Sequence, residues 1–107
     1  MKNITITQLK YVLAVEEARN FANAAKLCGV SQPTLSMMLK KLEEELGIII
    51  FDRSKSPTIV TAEGEKIILR ARKIFNELSG LEEDLHFAKE LSGEIRLGLI
   101  PTLAPYL

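Results

Sequence analysis

Little in this chain offers reactive chemistry. It has one cysteine, Cys28, and one histidine, His86, so no internal disulfide can form and no metal-ligand cluster is in sight. It has no glycine-rich phosphate loop and no convincing set of nucleophile, base and orienting group. An enzyme is therefore not expected, and neither a cofactor nor a metal is called for. No apolar run approaches the roughly 18 residues that suggest a membrane span. The N-terminal MKNITITQLK lacks the apolar core of a secretory signal. These absences predict a cytoplasmic protein with no membrane partner. Net charge is missing too, since 14 basic residues balance 14 acidic ones. That argues at first against nucleic acid, but the balance is uneven. Residues 1–60 hold 8 Lys/Arg against 6 Asp/Glu, whereas residues 61–92 hold 5 against 7. Any contact with a polyanion must be local.

What is present suffices for one small globular domain, with 107 residues of which 47% are hydrophobic and 26% charged. The chain is organised around residues 31–46, SQPTLSMMLKKLEEEL. Ser31 is a good N-cap, Pro33 is tolerated in a first turn, and Gly47 supplies a left-handed stop. Leu35, Leu39, Leu42 and Leu46 form a narrow apolar stripe at helical spacing, which must pack on something. The opposite side carries Pro33, Ser36, Met37, Lys40, Lys41 and Glu44, with Gln32 and Thr34 beside it in the first turn. Small and amide side chains at the start, lysines next and Glu43 to Glu45 at the far end give a polarised rod whose first half suits a phosphate-walled groove. Taken alone, an amphipathic surface helix with a solvated outer face fits as well.

Its neighbours favour the groove. Thr5 with Gln8 reads as a capping box opening a helix to about Ala18, with Leu9, Val12 and Leu13 inward. Arg19 and Asn20 end it and cap a second helix, on which Phe21, Ala24, Ala25 and Cys28 share one apolar face. Cys28 is expected to be buried there and inert. Gly29 and Val30 make a very short turn into the Ser31 helix. Two short helices joined by a tight glycine turn, the second with a polar outer face, form a helix-turn-helix. Ile48 to Phe51 and Thr58 to Val60 then read as a hairpin, a wing, whose polar tip from Asp52 to Pro57 carries Arg53 and Lys55 where phosphates or a minor groove could be reached. Thr61 caps a long helix to about Leu91. On it Ile67, Ala71, Ile74, Leu78, Leu81, Leu85 and Ala88 keep a heptad seam that asks for a partner helix, so a homodimer is expected. Ser92 and Gly93 interrupt that helix, and EIRLGLI, residues 94–100, reads as a buried strand with no sheet to join. The chain is read as a fragment of a longer regulator that stops just inside a second domain.

Five stretches together resemble the N-terminal part of a LysR-type transcriptional regulator: Phe21-x-x-Ala24-Ala25, Val30 to Ser36, Lys41-Leu42-Glu43-x-Glu45-Leu46-Gly47, Phe51-x-Arg53 and Thr61-x-x-Gly64. The match spans residues 4–64. Gly98 to Thr102, Pro105 to Leu107 and Leu27-Cys28 further resemble the peroxide-sensing OxyR branch of that family. The resemblance implies a mainly α fold. A winged helix-turn-helix of three helices and a two-stranded wing would occupy residues 4–61, with the helix-turn-helix at about 21–40. A dimerising linker helix would follow at 62–92, then at 93–107 the first strand of an α/β effector domain. It also implies antiparallel dimers, tetramers of the longer protein, operator DNA as partner and RNA polymerase as a further one. By resemblance Ser31, Gln32, Pro33, Thr34 and Ser36 belong to the DNA-reading turn, Arg53 and the Lys55 tip to backbone and minor-groove contacts, and Thr102 to an effector pocket. Where the family often has a basic residue after the serine this chain has Met37, so Lys40 is expected to take part of that contact.

The leading reading is thus a sequence-specific DNA-binding regulator, the DNA-binding fragment of an OxyR-like hydrogen peroxide-responsive activator. Two others stay open: a LysR-type regulator of metabolic genes answering a small-molecule effector, and a helical dimerisation module without specific DNA binding.

Overall fold

The computed structural model describes residues 3–92, with side chains as far as His86. Each helix begins where the sequence offers a side-chain oxygen to amides that would otherwise lack a partner. Helix α1 (Ile6–Ala18) opens on a reciprocal capping box, with the Gln8 amide donating to Thr5 Oγ1 at 3.1 Å and the Thr5 amide to Gln8 Oε1 at 2.9 Å. Asn20 caps α2 (Phe21–Cys28) by accepting from the Asn23 amide at 2.9 Å, and Ser31 caps α3 (Gln32–Leu46) by accepting from the Thr34 amide. Thr61 Oγ1 accepts from the Gly64 amide at 2.9 Å at the head of α4 (Ala62–Ser92).

The helix stops use the left-handed conformation. Gly29 (φ 69°) and Gly47 (φ 73°) close α2 and α3, and in each case the following amide reaches back, Val30 to the Ala25 carbonyl and Ile48 to that of Glu43. At the end of α1 the same role falls to Arg19 (φ 56°), a conformation a side chain adopts at some cost. A tight turn thus sets α3 against α2 and leaves its outer face free.

The core lies where the stripes meet. Leu9, Val12 and Val15 of α1, Ala24 and Ala25 of α2, and Leu35, Leu39 and Leu42 of α3 are buried together with Ile50, Phe51, Ile68 and Ala71. Burying a leucine fully contributes about 1.5–3 kcal/mol, so the α3 stripe alone anchors that helix firmly. Leu13 is only half-buried, and Tyr11 and Gln8 are buried beside it.

The wing is smaller than the run of β-formers predicts. Strand β1 is Phe51–Asp52 and β2 is Ile59–Val60, paired antiparallel with Phe51 opposite Val60 and Asp52 opposite Ile59. Ile48 to Ile50 stay outside the strand. The Ile50 and Phe51 amides donate to the Glu43 carboxylate, and the Ile49 and Ile50 carbonyls accept from the Thr61 hydroxyl. The Thr58 amide donates to the Arg19 carbonyl at 3.0 Å, tying the returning strand to the α1–α2 corner. Together these elements make a winged helix-turn-helix.

The chain divides into two units, one ending at Arg72 and one starting at Lys73. The first takes in the opening turns of α4, which changes the reading of the heptad seam. Ala71 is fully buried and Ile67 half-buried within their own unit, so Ala71 has no surface to give a second chain. Close approach is the reason. A Cβ on Gly64 would overlap the Ile50 carbonyl oxygen and stand 2.9 Å from Ile50 Cα, so glycine lets α4 lie against the wing base. In the second unit Ile74 and Leu81 are exposed and Leu78 and Leu85 half-buried. The Ala88 side chain, the strand expected at 94–100 and Thr102 lie outside the described residues.

Candidate nucleic-acid interface

The outer side of α3 is built from short polar groups over a fixed apolar base. Ser31, Gln32, Pro33 and Thr34 are exposed, Ser36 is half-buried, and Met37 and Lys40 are exposed one and two turns on. Ser31 and Thr34 also bond each other, with the Ser31 hydroxyl donating to Thr34 Oγ1 at 2.9 Å. Their conformations are therefore set by the cap, whereas Gln32 and Met37 project freely enough to meet a ligand.

Arg53 opens the turn at the wing tip, directly after β1. Its Nη2 donates to Glu43 Oε1 at 3.1 Å, and its guanidinium carbon lies 4.8 Å from the centre of the Phe21 ring. Phe21 in turn meets Phe51 edge-on, with centroids 6.0 Å apart and planes at 83°. Arg53, Gln32 and Ser36 line one cleft with Arg19, Asn20 and Ser56. Lys40 lines a second groove, which Arg53 also borders, with Glu43, Glu44, Asp52 and Glu63. Lys55 is exposed on the tip. The turn beneath it is shaped by Asp52, whose Oδ1 accepts from both the hydroxyl and the amide of Ser54. Those two bonds, the hydroxyl's first, hold the Asp52 carboxyl below its ordinary pKa, with a smaller pull from Lys55. Asp52 is consequently anionic at neutral pH, and the wing's two cations, Arg53 and Lys55, follow it in the turn.

The alignment of these parts, a capped polar helix presented by a glycine turn and flanked by a basic wing, agrees with the family comparison. The model of the bacterial regulatory helix-turn-helix proteins of the lysR family matches residues 6–65. This chain belongs to the lysR family. The hydrogen peroxide-inducible genes activator of Haemophilus influenzae is 41% identical to it over 105 residues, covering 97% of this chain and 35% of the relative. Among solved structures, Vibrio fischeri DarR in complex with DNA superposes with a TM-score of 0.76 at 27% identity, over 85% of this chain and 31% of that one. A full-length OxyR variant from Pseudomonas aeruginosa gives 0.73 at 39% identity, over 86% and 30%. The chain thus spans about a third of the length of these relatives.

Sequence reasoning missed Glu43, taken as part of an acidic far end of the lysR-type recognition helix. It is 7% exposed. A signal existed, because Glu43 continues the Leu35, Leu39 step of four and so stands on the apolar side. Arg19 was read only as a helix end, yet it lines the same cleft as Gln32. Cys28 needs correction, being half-buried and not a core residue. It ends an eight-residue helix at the glycine turn, beside exposed Leu27, and too little of the fold passes over it. Partial burial still pushes its thiol pKa up, against an opposing pull from Lys10, so the thiolate is scarce at neutral pH. Among the described residues no group of His, Cys, Asp and Glu is arranged to hold a metal, and no helix is long and apolar enough to cross a membrane.

Proposed function

We propose that this chain is the sequence-specific DNA-binding part of an OxyR-like transcription regulator, one that activates genes in response to hydrogen peroxide. The observation that carries the reading is the exposed first half of α3, where Gln32, Thr34, Ser36 and Met37 stand on a buried leucine stripe. A helix of this kind, presented by a tight turn, fits a major groove with its N-terminal residues at the base edges. Gln32 bonds an adenine edge in two places, Ser36 a base or phosphate, and Pro33 and Met37 give apolar contact to thymine methyls. Ser31 holds the turn, and Lys40, Arg53 and Lys55 meet the backbone.

The partner is duplex operator DNA, and the protein is a non-enzymatic regulator working in the cytoplasm. Residues 4–61 form its DNA-binding domain, 62–92 the linker helix and 93–107 the start of an effector domain to which Thr102 contributes. Ile74, Leu78, Leu81, Leu85 and Ala88 pair two chains, the longer protein forms tetramers, and RNA polymerase is a further partner. Support comes from the names and lengths of the relatives: the Haemophilus protein is called a peroxide-inducible genes activator, and this chain aligns with only 35% of it.

A binding selection from random duplexes gives the operator and tests the reading. Gln32→Ala is then expected to lose roughly 1–3 kcal/mol on the selected site and little on random DNA. Lys55→Ala is expected to weaken both about equally. Equal losses for Gln32→Ala on the two duplexes remove it from the reading set, and failure to enrich any sequence removes specific binding altogether.

A further inference from the structure

We infer that Glu43 is a positioning residue for DNA binding: it holds Arg53 at the cleft between α2, α3 and the wing turn, where Arg53 and Arg19 seat one backbone phosphate. The inference rests on the DNA-binding reading above. A carboxylate as buried as Glu43 persists only with partners, and its two oxygens divide them. Oε2 accepts from the Ile50 amide at 2.7 Å and the Phe51 amide at 3.2 Å, which leaves Oε1 to accept from Arg53 Nη2 at 3.1 Å. One side chain on the recognition helix therefore fixes both the start of the wing and the cation that follows it.

Arg53 is presented, not consumed, by this arrangement. Its side chain is 37% exposed against 8% for that of Glu43. One guanidinium face lies toward Phe21, which leans on buried Phe51. A guanidinium carries five N–H donors, so the bond to Glu43 leaves a fork that suits a phosphate. Of the two clefts it borders, one holds Glu43, Glu44, Asp52 and Glu63, whereas the one toward α2 is lined by Arg19, Asn20, Gln32, Ser36 and Ser56 among others, and by no carboxylate. Two cations with hydroxyls and amides fit a phosphate and repel a cation. Arg19 is held at the other wall, since its Nε donates to the Glu16 carbonyl at 3.2 Å and its own carbonyl accepts from the Thr58 amide. The seat adjoins Gln32 and Ser36, so a phosphate there sets the register at which α3 meets the bases.

The test turns on a sign. Removing an acid near a polyanion strengthens binding on Coulombic grounds alone, whereas loss of a positioning residue weakens it. In Glu43→Gln the amide oxygen can still accept from Ile50 and Phe51, while its NH2 faces the Arg53 NH2, donor against donor, and releases it. The 107-residue chain and its variants are titrated with a mixed-sequence duplex over a range of salt. Each phosphate neutralised contributes about −0.9 to the slope of log affinity against log salt. Arg19→Gln and Arg53→Gln are each expected to flatten the slope by about one. Glu43→Gln is expected to weaken binding and flatten the slope as Arg53→Gln does, and to add nothing on top of it, with the unfolding transition still cooperative. Tighter or unchanged binding by Glu43→Gln overturns the positioning role. Should that variant not fold, Glu43→Asp decides: it keeps the negative charge but shortens the reach to Arg53, so binding as tight as that of the unsubstituted chain overturns the positioning role. An unchanged slope for Arg19→Gln overturns the seat. Wild-type binding with no salt dependence overturns the DNA-binding reading itself, along with the inference.

Discussion

The two halves of α4 carry one apolar repeat and meet different surroundings. Before Arg72, Ile68 and Ala71 are 2% and 0% exposed, and Gly64 admits the wing base to contact. After it, Ile74 is 37% and Leu81 55% exposed, on the heptad seam that Ala71 belongs to and Ile68 stands beside. Periodicity reports that a face must be covered, but not whether the cover comes from the same chain. The first half is closed by a glycine and a small residue that let α4 approach its own domain. The second half has large side chains and an open face, the one that the proposed pairing of two chains would cover.

Substitutions along the helix sharpen the contrast. Ile68→Ala removes a fully packed side chain and is expected to destabilise the winged domain by about 2–5 kcal/mol, read from denaturant unfolding. Gly64→Ala drives a methyl group into the Ile50 backbone, where no flexible side chain can give way. A loss of about 1–3 kcal/mol is expected, with the wing shifted in amide NMR spectra. Gly80→Ala acts with the opposite sign. It lies in the open half with nothing within 4 Å of an added Cβ, so it is expected to stabilise the helix by about 0.5–1 kcal/mol. Leu81→Glu is expected to change the stability of the winged domain by less than about 0.5 kcal/mol. It should nonetheless split the proposed dimer in sedimentation and weaken binding to a two-half-site operator more than to one half-site. A Leu81→Glu chain that unfolds as readily as Ile68→Ala, or one still dimeric, breaks the comparison between the two halves.

The candidate interface was legible to different degrees for physical reasons. Ser31, Gln32, Thr34 and Ser36 could be placed because a helix cap and a 3.6-residue period put them on the outer first turn whatever they pack against. Arg53 was legible as part of the wing's connecting turn, but its partners were not. The sequence shows a run of β-formers from Ile48 onward, and nothing local says that the Ile50 and Phe51 amides go to a glutamate on α3 and the flanking carbonyls to Thr61. Cys28 was given a core position from its spacing with Phe21, Ala24 and Ala25. Spacing identifies a face, yet at the last residue of a short helix that face has run out of neighbours.

The sequence by itself determined where each helix starts and stops, which stripe of each turns inward, and that α3 offers a polar, capped face at a tight turn. These depend on residues within about one helical turn of each other: Thr5 with Gln8, Asn20 with Asn23, Ser31 with Thr34, Thr61 with Gly64. Only the tertiary structure decided that Glu43 is a buried hub, that Arg53 rests on Phe21, that Arg19 shares a cleft with Gln32, and that Ala71 closes against its own domain. Each of these joins residues distant along the chain, and a buried carboxylate or a shared cleft exists only once separate elements have packed and removed the water between them.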